Sequence, residues 1–241
     1  MSGLDGPDAP RPVEGITAAL FDFGGVILSS PFEAFAHYEE AHGLPDGFLR
    51  RVNATDPDDN AWARLERNEL DLDEFCDRFE AEARALGGEV DAREVLGLLR
   101  GELRPAMVTA LRRCGERLKT ALLTNNVVTM RATPMAGGPP DGSDGSNLIG
   151  GEDGDGDSHR AVLDLFDVII ESSVVGVRKP DPAFYERACA ALSIEASEAV
   201  FLDDLGVNLK PARAIGMTTI KVGDPAVAIA ELEAVVGFPL S

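Results

Sequence analysis

The sequence is poor in cysteine, histidine and aromatic residues, and its charges are lopsided. Three cysteines stand at Cys76, Cys114 and Cys189. An odd count at such wide spacing suits neither a disulfide framework nor a zinc site, and it fits a reducing, cytoplasmic setting. The three histidines, His37, His42 and His159, share no metal-ligand spacing. Lys+Arg numbers 22 against 42 Asp+Glu, a formal net charge of −20. That balance argues against nucleic acid or an anionic membrane as partner, because both are gripped by a basic face. It leaves room for a small anion in a local positive pocket. No run of about 18 apolar residues exists, so no membrane-spanning helix is expected. The first 15 residues show neither a basic start nor an apolar stretch, so no signal peptide is expected. No Gly-Lys-Ser/Thr phosphate loop, G-x-G-x-x-G turn or G-x-S-x-G elbow is found, which removes the common nucleotide-kinase, dinucleotide and esterase readings. What remains is 241 residues, 44% of them hydrophobic, enough for one or two domains with a core that needs no cross-links.

The chain divides by pattern. Residues 1–14 hold Gly3, Gly6, Pro7, Pro10 and Pro12 and read as a flexible leader. Ile16 to Phe21 is a short, nearly continuous apolar run, as expected of a strand buried on both faces. Ser30-Pro31-Phe32-Glu33 reads as a helix start with a capping box. Asp71 to Glu74 starts another helix, whose apolar set Leu72, Phe75, Cys76, Phe79 and Leu86 lies on one side. Residues 31–100 therefore read as a helical insertion. After it, strands at 121–123, 167–171, 199–202 and 218–222 alternate with helices at 105–118, 182–192, 208–215 and 226–236. Five strands separated by helices predict an α/β fold, an open parallel sheet with helices on both faces. Residues 131–160 differ in kind, with eight glycines, three prolines, five aspartates and no aromatic residue. They read as a disordered Gly/Asp-rich loop. At its end Asp153, Asp155 and Asp157, with Asp164 just beyond it, echo a calcium loop, but Ser158 stands where the turn glycine belongs, and an acidic linker is the simpler reading.

In open parallel sheets ligands bind beyond the carboxyl ends of the strands. Those ends here carry Asp22, Thr124-Asn125 and Asp203-Asp204. Carboxylates converging from two strands repel unless a cation lies between them. Oxygen ligands without a nearby His or Cys favour a hard ion, Mg²⁺ (magnesium), beside a substrate phosphate. Thr124 and the backbone N–H groups after it suit phosphate oxygens, Lys179 supplies positive charge, and Asp22 is a candidate nucleophile. Each alone has a bland alternative: a turn residue, a helix cap, a solvated lysine. The four in this order, each at the right end of its element, argue for a site.

Four segments resemble the motifs of the haloacid dehalogenase (HAD) superfamily: Leu20-Phe21-Asp22-Phe23-Gly24-Gly25-Val26, Leu123-Thr124-Asn125-Asn126, Gly176 to Tyr185 with Lys179-Pro180-Asp181-Pro182, and Phe201-Leu202-Asp203-Asp204 to Asn208. The stretch from Phe201 to Val222 looks most like the N-terminal phosphatase domain of soluble epoxide hydrolase and the HAD domains fused to some acyl-CoA dehydrogenases. The resemblance implies a HAD-like Rossmannoid core at 15–30 and 101–241, with residues 31–100 as a helical cap that closes over substrate. It implies a Mg²⁺-dependent phosphatase for a small phosphorylated metabolite, working through an aspartyl-phosphate on Asp22. Asp22, the Gly24 carbonyl and Asp204 would hold the metal, with Asp203 acting mainly through metal-bound water. Thr124, Asn125 and Lys179 would hold the phosphoryl oxygens, and Asn208 would orient Lys179 or the metal cluster.

One residue departs from the pattern. Two positions after the nucleophile, most phosphatases of this superfamily carry an aspartate as general acid and base, and here Gly24 stands. Positioned acid–base catalysis is typically worth about 10²–10⁴-fold, so slow turnover or restriction to good leaving groups is expected. The rival reading is a HAD-fold binding or regulatory protein with impaired catalysis. A dehalogenase, which attacks carbon without a metal, fits poorly with Asp203-Asp204 beside Asp22.

Overall fold

In the computed structural model the structure describes residues 13, 15–99, 101–126 and 155–241. Almost all of the expected leader, and the expected loop up to residue 154, lie outside the described residues. Five parallel strands form one sheet in the order β3-β2-β1-β4-β5. They are β1 (Ala18–Phe21), β2 (Lys119–Thr124), β3 (Val168–Glu171), β4 (Ala199–Asp203) and β5 (Thr218–Lys221). β1 sits at the centre, with Phe21 opposite both Leu122 and Leu202. Central parallel strands are covered on both faces, and all four residues of β1 are fully buried.

The period of two along each strand sorts the core into two layers. Phe21, Leu122 and Leu202 pack with Met107 and Leu111 of α6 (Pro105–Gly115) and Leu232 of α11 (Pro225–Val236). Leu20, Leu123 and Phe201 pack on the other face with Phe184 and Tyr185 of α9 (Pro182–Leu192) and Leu209 of α10 (Gly206–Ala214). Helices thus cover both faces, as the alternation of elements predicts.

Between β1 and β2 the chain forms α1 (Pro31–Ala41), α2 (Phe48–Ala54), α3 (Ala61–Glu66), α4 (Leu72–Ala85) and α5 (Ala92–Gly97). These helices share a third hydrophobic cluster, centred on Phe48, Phe75 and Phe79. α4 starts with a capping box, Asp71 accepting from the Glu74 N–H and Glu74 from the Asp71 N–H. The box expected at Ser30 does not form: the Ser30 hydroxyl makes no cap bond. Pro31 already fixes the first-turn φ, and the helix starts without it.

Composition misleads at the end of the Gly/Asp-rich segment. Residues 155–160 belong to a helix, α7 (Asp155–Leu163), rather than to a loop. Its last turn buries His159, Val162 and Leu163, and the His159 ring meets Phe23 edge-on at 6.4 Å. That burial overrides the weak local propensity, and a helix through Asp155 and Asp157 also removes the calcium-loop echo. Beyond β3 a single short helical turn, α8 (Ser172–Val175), appears where no element is expected. No helix among the described residues is long and apolar enough to cross a membrane.

Candidate active site

The register of the sheet brings the motif residues to one edge. Asp22 follows Phe21, its backbone N–H bonding the Leu202 carbonyl (2.9 Å), so it lies beside Asp203 at the end of β4. Lys179 reaches between the two from the segment before α9. Its Nζ is 2.8 Å from Asp22 Oδ1 and 2.8 Å from Asp203 Oδ2. The lysine is 1% exposed and Asp203 is fully buried. A solvated surface lysine is thereby excluded.

Each member of this triangle is held from behind. Asp22 Oδ1 also accepts from the Phe23 N–H (2.7 Å). Asp203 accepts from the Leu205 N–H (2.8 Å) and from Asn208 Nδ2, 3.1 and 3.0 Å from its two oxygens. Asn208 therefore orients Asp203, and Lys179 only through it. The Asn208 carbonyl accepts from the buried Tyr185 hydroxyl (2.7 Å). Asn125, at the end of β2, clamps the Lys179 peptide: its Nδ2 donates to the Lys179 carbonyl (3.0 Å) and its Oδ1 accepts from the Lys179 N–H (2.9 Å). Thr124 is buried at the same edge, and its hydroxyl has no hydrogen-bond partner among the described residues.

Asp204 completes the cluster. One oxygen from each of Asp22, Asp203 and Asp204 lies within 4.8 Å of the others. Burial pushes the Asp22 carboxyl up to about 7; Lys179 opposes this, and Asp203 and Asp204 add to it. Burial, then the Asp203 charge, pushes Asp204 up to about 6. Burial pulls Lys179 down, but Asp203 and Asp22 outweigh it and hold the ammonium above its ordinary range. Three carboxylates around one ammonium leave a surplus of negative charge. An all-oxygen donor set with that surplus fits Mg²⁺.

Sequence reasoning missed two contributors. Gly25 has φ +75°, and a methyl carbon built on it overlaps the Asp204 carboxylate. Only glycine lets the first-motif turn lie so close to the fourth. Arg104, just before α6, donates from Nη1 to the Gly25 carbonyl (2.7 Å), and its charge also acts on Asp204. The doubled glycine was a visible signal for the first; nothing local marks Arg104. Gly24, in contrast, has φ −67° and open space where a Cβ would stand.

The model of the haloacid dehalogenase-like hydrolases matches residues 16–216. The chain belongs to this family. It is 33% identical over 233 residues to acyl-CoA dehydrogenase family member 10 of Mus musculus, covering 92% of this chain and 19% of that protein. It is 30% identical over 240 residues to bifunctional epoxide hydrolase 2 of Sus scrofa, covering 93% of this chain and 40% of that protein. The chain thus spans well under half the length of these two relatives. A sesquiterpene phosphatase of Aspergillus oryzae is 28% identical over 225 residues, 91% of this chain and 96% of its own length. Among solved structures, a HAD-family enzyme of Bacteroides thetaiotaomicron in complex with magnesium and inorganic phosphate superposes with a TM-score of 0.52 at 18% identity, covering 87% of this chain and 96% of that one. The HAD-like Rossmannoid fold is the one that the motifs imply.

Two outcomes follow for the HAD site. Gly25→Ala displaces Asp204 and should weaken Mg²⁺ binding about 10–100-fold, while Gly24→Ala should leave it within a few-fold; calorimetric titration separates them. The raised Asp22 and Asp204 carboxyls stabilise the metal-free fold most at low pH, and that contribution is lost as pH rises through about 6 and 7. Mg²⁺ binds the ionised form, so the rise in Tm with Mg²⁺ should be larger at pH 8 than at pH 5. An equal rise at both values would contradict the assignment.

Proposed function

We propose that this HAD-family hydrolase is a Mg²⁺-dependent phosphohydrolase for a small phosphorylated metabolite. The observation that carries the reading is the buried Lys179 ammonium shared by Asp22 and Asp203, with Asp204 beside it. The sesquiterpene phosphatase among the relatives supports phosphoester chemistry.

Asp22, Asp204 and the Gly24 carbonyl would hold the metal, which when bound neutralises charge on the phosphoryl oxygens. Asp203 already accepts from Lys179, Leu205 and Asn208, which supports an indirect role for it, through water. An Asp22 carboxylate oxygen attacks phosphorus as the bond to the leaving oxygen breaks. That oxygen departs with the electron pair. Lys179 and the Thr124 hydroxyl bind the phosphoryl oxygens as their charge shifts, and Asn125 keeps Lys179 in place. Water then cleaves the aspartyl-phosphate, releasing inorganic phosphate and restoring Asp22. The core comprises residues 15–30 and 101–241, and the helices at 31–100 act as the cap that shields this chemistry from solvent.

A carboxylate at position 24 would protonate the leaving oxygen, and glycine offers no proton. Leaving groups that are stable as anions are therefore favoured. We expect Mg²⁺-dependent release of phosphate from p-nitrophenyl phosphate or a sugar 1-phosphate, and little from glycerol phosphate. Because the space beside Gly24 is open and its φ is ordinary, Gly24→Asp should be accommodated. It should narrow the gap in kcat/KM between aryl and alkyl phosphates, by up to about 10²–10⁴-fold. A wild-type enzyme that cleaves both equally well would place the proton donor elsewhere. Asp22→Asn keeps the shape of the side chain and should abolish turnover with the fold retained, at a lowered melting point because Lys179 loses one of its two anionic partners. Wild-type rates in that variant would remove Asp22 as nucleophile. A binding or regulatory role gains ground only if no phosphoester in the panel turns over with Mg²⁺.

A further inference from the structure

Arg178 and Lys179 are neighbours that face opposite ways. Lys179 points down to Asp22 and Asp203. Arg178 points to the helical insertion, where its Nε lies 2.7 Å from Glu66 Oε2 and its Nη1 donates to the Pro57 carbonyl (3.1 Å). Glu66 is the last residue of α3 and is only 7% exposed. Its other oxygen accepts from Trp62 Nε1 (3.0 Å). The half-buried Trp62 ring packs on Phe75 and Phe79 at 5.6 and 5.7 Å, at the edge of the insertion's own core. A continuous line of contacts therefore runs from that core through Trp62, Glu66 and Arg178 to the backbone of the buried lysine.

A surface ion pair would contribute little, but here Glu66 is buried and Arg178 half-buried, and removing Arg178 leaves the Glu66 carboxyl buried without its cation. Two groups of the insertion, a carboxylate and a backbone carbonyl, grip the same guanidinium. The Lys179 peptide next to it is fixed from the other side by Asn125. Movement of α3 relative to the sheet must then either break the grip on Arg178 or pull on the peptide that carries Lys179.

We propose that Arg178 is a positioning residue: with Glu66 it couples the seat of the helical insertion to the placement of Lys179 between Asp22 and Asp203. Arg178 touches no reacting atom; it acts through Lys179. The coupling rests on the phosphohydrolase reading only for its effect on turnover.

Two measurements test it. First, kcat and KM are measured for Arg178→Leu, Glu66→Gln, their double variant and Arg178→Lys, at a temperature well below each melting point. A displacement of about 1 Å at a catalytic group costs up to about 10²-fold. Each single variant should lose about 10–100-fold in kcat, the double variant no more than the worse single one, and Arg178→Lys should recover part of the loss. A lowered melting point with kcat within twofold of wild type would overturn the coupling, since a merely structural pair predicts that. Second, the chain contains one tryptophan, and it is Trp62. Its emission should change when Mg²⁺ and inorganic phosphate bind the wild-type protein. In Arg178→Leu the same ligands should still bind by calorimetry, with the emission change lost. No response in the wild type, or a full response in Arg178→Leu, would also overturn the proposal. The emission measurement needs no turnover, so it decides the coupling even if no phosphoester is hydrolysed, an outcome that would count against the function alone.

Discussion

Much of the structure depends on one ammonium group out of water. A lysine that is 1% exposed is stable only with anionic partners, and Lys179 has two, each at 2.8 Å. The surroundings follow from that requirement. Asp203 must be held in place, so Asn208 and the Leu205 N–H bond it. Asn208 must be fixed in turn, and the Tyr185 hydroxyl bonds its carbonyl. The lysine's backbone must not drift, and Asn125 closes on it from β2. Residues from four separate parts of the chain converge because the central strand β1 is paired on both sides, which sets the ends of β2 and β4 level with Asp22. Deleting either Asp22 or Asp203 would leave the ammonium with one partner instead of two, at several kcal/mol by the usual order of magnitude for broken buried pairs (about 3–5 kcal/mol).

The same arrangement is unbalanced by design of its charges. One ammonium cannot neutralise three carboxylates, and burial, reinforced by the neighbouring carboxylates, raises the Asp22 and Asp204 carboxyls. In an acidic chain of net charge −20, an anionic substrate meets a repulsive surface at long range. For the phosphorylated substrate we propose, attraction would have to be local, from Lys179, from Arg104 at the Gly25 carbonyl and from a cation held by the carboxylates. A site of this kind depends on short-range contacts rather than on electrostatic steering, whose reach is about 8–10 Å in physiological salt.

The sheet was legible in the sequence because buried parallel strands are continuous apolar runs, and runs such as Ala199 to Leu202 have no competing helical period. The helix Pro182–Leu192 was legible from its proline and its preceding aspartate, which accepts from the Ala183 N–H. The site was legible for a related reason: in such a fold, polar residues directly after apolar strands stand at one edge. What stayed hidden was pairing over distance. Nothing next to Arg104 announces the Gly25 carbonyl 79 residues earlier in the chain, and nothing next to Glu66 announces Arg178. Residues 155–160 were hidden for another reason. Their glycine and aspartates favour a loop locally, and only burial of His159 and the residues after it makes the helix.

Two adjacent glycines show how position rather than residue type sets a role. Gly25 is required by the fold: its φ is positive and a side chain there would collide with Asp204. Gly24 is required by nothing that the backbone does, for its φ of −67° suits any residue and the space beside it is free. A side chain could have stood there without cost to the turn. The absence of one is therefore a chemical fact about the site and not a steric one. In the mechanism we propose, the first glycine offers the leaving oxygen no proton, whereas the second leaves room for the Asp204 carboxylate beside the turn.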